Sequence, residues 1–155
     1  MLLRGDLIMK KLFYAAMFYL VFGLCSGLFY REFTKSNEFT GLTQLKLAHT
    51  HILVLGFFMF FILTLFEKVF SISESKWFNK FFVVYNVGAL LTLIMFLVIG
   101  VAQVRGITPA GPFNGIAGLG HVIITIGFVF LFLVLKERIL KEDESIKKDK
   151  YLAAA

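Results

Sequence analysis

The chain of 155 residues is 59% hydrophobic and 17% charged, with 20 Phe against 2 Pro, and its mean hydropathy is +0.84. So much apolar surface has no aqueous home, which excludes a solvated binding module, a disordered chain and a collagen-like fibre. The single cysteine, Cys25, excludes a disulfide framework within one chain, and the formal net charge of +6 reads as membrane orientation rather than nucleic-acid binding.

Met9, followed by Lys10 and Lys11, reads as an alternative start. Four uncharged apolar runs follow: Leu12–Tyr30, Leu47–Phe66, Phe81–Val104 and Gly118–Leu135. A crossing helix needs roughly 17–25 residues, and each run meets that length. Barrel strands would alternate with period two, so they are excluded. The sequence therefore predicts an all-α, integral membrane four-helix bundle. Its four-span domain covers residues 1–138, with helices at about 12–30, 47–66, 81–104 and 118–135, and a charged cytoplasmic tail covers 139–155. The first run is too long and aromatic for a signal-peptide core, and Leu24 is too large for the residue before a lipidated cysteine. Of the 16 Lys and Arg, 12 lie before the first run, between the second and third, or after the fourth. That bias predicts a cell-membrane protein with both termini in the cytoplasm.

In the first run Gly23 and Gly27 form a GxxxG pair, with Ser26 beside them and Ala16 and Tyr30 on the same face; such a stripe permits close helix packing. Asn86 marks the protein-facing side of the third run and predicts a structural hydrogen bond. The segment Arg105–Gly120 holds five glycines and both prolines, Pro109 and Pro112, which predicts an ordered outer loop rather than a helix throughout. Glu137/Lys141 and Glu144/Lys148 keep helical spacing, so the fourth helix is expected to run on into the cytosol.

No Asp, Glu, Lys or Arg interrupts the four runs, which leaves His49, His51 and His121 as the ionisable groups at membrane depth. At about 1.5 Å rise per residue their depths below the outer end agree within roughly 3 Å, so they share a layer. Residues two apart differ by about 200° around a helix, so His49 and His51 point to nearly opposite sides and do not chelate one ion together. Neutral imidazole ligates metals and haem iron, and an uncharged aromatic bundle supplies the low-polarity shell of a b-type haem. Thr125, one turn below His121, supports the imidazole or bonds its own backbone carbonyl.

The run Ala48, His49, Thr50, His51, Ile52, Leu53, Val54, Leu55, Gly56 resembles the Ala-His-x-His segment of subunit I of the haem-copper oxidases. Over Met9 to Arg138 the chain also resembles a family of small four-helix bacterial membrane proteins of uncharacterised function. The oxidase resemblance implies that the two histidines ligate different haem irons on opposite sides of one helix. It further implies that four helices form one arc of a ring that three copies would complete as a homotrimer. That family's copper site, with a further histidine pair and a His-Tyr pair four residues apart in a span, has no counterpart here.

Together these features predict a membrane protein binding haem b through His49, His51 and His121 as candidate iron ligands, for electron transfer, haem handling or gas sensing. Gln103 and Arg105, at the outer end of the third run, are the candidate partners for haem carboxylates, Arg105 through its fork of donors. The competing readings are a small metal or solute transporter and a non-catalytic structural subunit.

Overall fold

The computed structural model describes residues 2–108 and 111–154. Four long helices run through it: helix 1 (Leu2–Ser36), helix 2 (Leu45–Phe70), helix 3 (Phe78–Val104) and helix 4 (Gly111–Ala154), with no strand among the described residues. Each is long and apolar enough to cross a membrane, and large side chains such as Phe18, Val54, Val83 and Phe132 lie exposed on the outside. In water that surface would be untenable; in lipid it is the solvent-facing side. The protein is a multi-pass membrane protein. Four crossings bring both ends of the chain and the connection between helices 2 and 3 to one end of the bundle. The other end carries the histidines.

The helices outrun the apolar segments from which they are predicted. Backbone hydrogen bonding continues through charged residues once a turn is formed, so helix 1 includes Lys10 and Lys11, and helix 4 continues through the tail. Glu137 and Lys141 form the expected pair, 3.0 Å apart; the Lys148 side chain lies outside the described residues. The loop expected over Arg105–Gly120 is much shorter than predicted. Gly106 takes a positive φ of 71°, and helix 4 resumes at Gly111. Pro112 fits there because the first turn of a helix does not use its N–H groups; Pro109 lies outside the described residues.

Neighbours in sequence are neighbours in space: helix 1 packs on helix 2, helix 2 on helix 3, and helix 3 on helix 4. The core joins Leu12, Tyr19, Phe60, Phe81, Tyr85, Leu93 and Val134, all at most 2% exposed. Helices 3 and 4 meet backbone to backbone. A Cβ on Gly88 would sit 2.6 Å from the Ile124 nitrogen, and Gly120 abuts Thr92. Small residues at such crossings let van der Waals packing substitute for a hydrophobic driving force that lipid does not supply.

Helix 2 is not uniform. Directly after His51 its hydrogen bonding widens to the π pattern over Ile52–Phe58, then returns to α at Met59. Within that segment Gly56 receives the Tyr19 ring against its bare Cα, and the Leu55 carbonyl accepts from the Tyr85 hydroxyl at 2.8 Å.

Candidate functional site

Helix 2 starts under the control of helix 3. The Thr43 hydroxyl donates to the Gly100 carbonyl at 2.9 Å, and the Gln44 N–H donates to Gln103 Oε1 at 2.8 Å. The second bond satisfies one of the four N–H groups that a helix start leaves open. Gly100 makes the approach possible, since a Cβ there would lie 2.5 Å from the Leu45 nitrogen. This anchorage fixes the rotation of the first turns of helix 2, and with it the directions of the two histidines.

Those directions diverge, as the spacing predicts. His49 turns to helix 1, where its Nδ1 lies 2.8 Å from the Gly23 carbonyl oxygen. The GxxxG pair makes the space: a Cβ on Gly27 would meet His49 Nδ1 at 2.8 Å, and one on Gly23 would meet Leu53. The glycine stripe thus serves packing inside one chain and seats the histidine. His51 turns to the opposite side, with its ring edge to face against Phe96 at 4.8 Å between centroids. Phe96 also meets the His121 ring of helix 4, edge to face at 6.2 Å between centroids. Phe96 touching both rings places His51 and His121 in one layer.

All three imidazoles make the same kind of hydrogen bond. Nδ1 of His49 pairs with the Gly23 carbonyl, Nδ1 of His51 with Leu47 at 2.8 Å, and Nδ1 of His121 with Ala117 at 2.9 Å. A carbonyl oxygen can only accept, so Nδ1 carries the proton in each ring and Nε2 of the neutral imidazole keeps its lone pair. This is the arrangement that fixes tautomer and orientation in metal-ligating histidines. The helix interior supplies it without any carboxylate. Thr125 takes no part, because its hydroxyl donates to its own helix at the His121 carbonyl, 2.9 Å away.

Of the two residues expected to hold carboxylates, Gln103 commits its amide oxygen to helix 2, while Arg105 lies with its guanidinium 5.8 Å from the Phe33 ring centroid on helix 1. Asn86 makes the structural bonds expected of it: Oδ1 accepts from Tyr19 Oη at 2.9 Å, and Nδ2 donates to the Phe82 carbonyl at 2.7 Å. No group of three or more His, Cys, Asp or Glu suited to a metal ion occurs among the described residues.

The opposite end holds a polar network that the apolar runs do not reveal. Glu67, 4% exposed, accepts from both the N–H and the hydroxyl of Ser73. Arg138 reaches from helix 4 to the Phe70 carbonyl at 2.8 Å and to Glu74 at 2.9 Å. Ser75 donates to Glu137 at 2.7 Å. These bonds clamp the connection between helices 2 and 3 onto helix 4. The signal in the sequence is slight: Glu67 directly follows the second apolar run, and Glu137 and Arg138 lie just past the end of the fourth.

Residues 9–138 match the family described as Protein of unknown function (DUF2871). The chain belongs to that family. The match ends at Arg138, so the clamp lies within the family's span and the distal tail beyond it. Comparison with curated proteins and with solved structures gives no match.

Proposed function

We propose that this membrane protein binds b-type haem at its histidine end, with iron held by Nε2 nitrogens contributed by more than one copy of the chain. The observation that carries the reading is the common bonding of the three imidazoles, each with Nδ1 spent on a backbone carbonyl, which in His49 and His51 leaves Nε2 to serve as the ligand. The surroundings agree with it: the layer is apolar and aromatic, and the four apolar runs contain no charged residue. Such a shell lowers the polarity around a bound haem, which would supply one-electron exchange.

Two features favour ligation between copies. His49 and His51 leave helix 2 on opposite sides, one towards helix 1 and the other towards Phe96 on helix 3, and the Phe96 ring packs against both His51 and His121. Sequential packing of helices 1 to 4 agrees with an open arc, and three arcs closed by a threefold axis would let His49 serve one haem and His51 the next. In this reading His121 braces Phe96, and Gln103 sets the rotation of helix 2.

Absorption spectra of the detergent-purified protein before and after dithionite test the proposal. A low-spin b-type spectrum is expected, with haem extracted by acid acetone because the chain has no Cys-x-x-Cys-His segment. His49→Ala and His51→Ala should each disturb every haem, while His121→Ala keeps low-spin ligation. A colourless protein after haem-supplemented expression overturns the reading; a haem-loaded monomer overturns the assembly.

A further inference from the structure

Helices 1 and 3 touch in the middle and lower half of the bundle, where Lys11 Nζ lies 4.1 Å from the Phe82 ring centroid and Tyr19 bonds Asn86. Beyond that hydrogen bond, towards the histidine end, an apolar groove of about 540 Å³ opens between them. Phe22, Cys25, Ser26 and Phe29 line it from helix 1, and Leu97, Val98 and Val101 from helix 3. Ser26 adds no free polar group, because its hydroxyl donates to the Gly23 carbonyl at 2.8 Å. Apart from the Cys25 thiol, the groove therefore offers hydrocarbon surface.

Its far end is different. Phe33 follows Phe29 by one turn and Arg105 follows Val101 by one turn, and the Arg105 guanidinium packs over the Phe33 ring. That contact closes the groove with a cation. Arg105 makes no salt bridge among the described residues, whereas Arg31 on helix 1 pairs with Glu32. From Leu97 to Arg105 the rise is about 12 Å, close to the roughly 15 Å of one leaflet's hydrocarbon.

We infer that this groove holds one acyl chain of an anionic phospholipid from the leaflet at the histidine end, with its phosphate on Arg105. An apolar trough of leaflet depth with one unpaired cation at the headgroup level matches that amphiphile in shape and charge. The inference goes beyond the haem reading and stands without it.

The test uses full-length protein equilibrated with equal amounts of phosphatidylglycerol and phosphatidylcholine of identical chains, followed by native mass spectrometry. The wild type should retain phosphatidylglycerol about fivefold over phosphatidylcholine, the preference expected of one basic residue at the surface. Arg105→Gln should keep a lipid but lose the preference. Val98→Trp should lose the lipid, and Val101→Phe, a milder filling of the same groove, should weaken retention if Val98→Trp does not fold. Equal retention of the two lipids by the wild type, or an unchanged preference in Arg105→Gln, overturns the proposal. So does a haem adduct that replaces the lipid and is lost with Arg105, or a groove-filling variant that changes the oligomer but not lipid retention.

Discussion

Gly27→Ala tests whether the glycine stripe of helix 1 seats His49. The added methyl would stand 2.8 Å from Nδ1, 3.0 Å from Cε1 and 3.2 Å from Cγ of the imidazole. Comfortable contact between such atoms begins near 3.5 Å, so the ring must retreat by about 0.7 Å. That carries the Nδ1–H bond to Gly23 from 2.8 Å past the usual limit of about 3.2 Å. Overpacking costs about 1–3 kcal/mol, and an interhelical hydrogen bond in a membrane is worth about 0.6 kcal/mol. Against these, Ala gains about 0.5–1 kcal/mol over Gly inside a helix. The net expectation is a loss of about 1–3 kcal/mol, read by reversible unfolding in mixed micelles with Trp77 fluorescence and circular dichroism. In a His49→Ala background the ring is absent, and Gly27→Ala should become neutral or stabilising. The double-mutant cycle then gives a coupling well above the roughly 0.5 kcal/mol within which independent sites add. Equal costs in both backgrounds would refute the reasoning, because the penalty would then arise elsewhere on helix 1.

Gly88→Ala should destabilise the bundle by about 2 kcal/mol or more, since its Cβ meets the backbone of Ile124, which cannot step aside; Gly118→Ala, inside helix 4 with nothing within 4 Å, should stabilise by about 0.5–1 kcal/mol in the same assay. Reporters fused after Lys136 or within the connection between helices 2 and 3 should be active in the cytoplasm, because 12 of the 16 Lys and Arg lie in the segments assigned to that side. Activity outside the cell at either position would invert the topology.

The spans are legible in the sequence because membrane insertion is decided by apolar length, and charges such as Lys46 and Arg105 mark where the runs end. The divergence of His49 and His51 is legible too, since it depends only on the angle per residue. What hydropathy does not encode is which carbonyl a given N–H chooses, so the π segment over Ile52–Phe58 and the helical start at Gly111 are not foreseen. Phe96 is equally hidden, one Phe among 20. Its contact with two histidines depends on the register of three helices. The GxxxG pair points to a close contact without naming its partner, and His49 is the partner only because helix 2 begins where Gly100 and Gln103 hold it.

The π segment divides helix 2 into two parts that answer to different masters. The lower part is locked into the core through Phe60 and Leu63, the upper part is pinned to helix 3 at Thr43 and Gln44, and the wide turns between them carry the mismatch in rotation. Removing one residue from Ile52–Phe58 would let ordinary α bonding run through the segment with little change of phase, whereas removing one from the α turns beside it would swing one part against the other by about 100°, turning His49 off the glycine stripe while leaving every apolar residue count almost unchanged. The aim of the two imidazoles is thus a matter of phase, and the widened segment is the vernier that sets it.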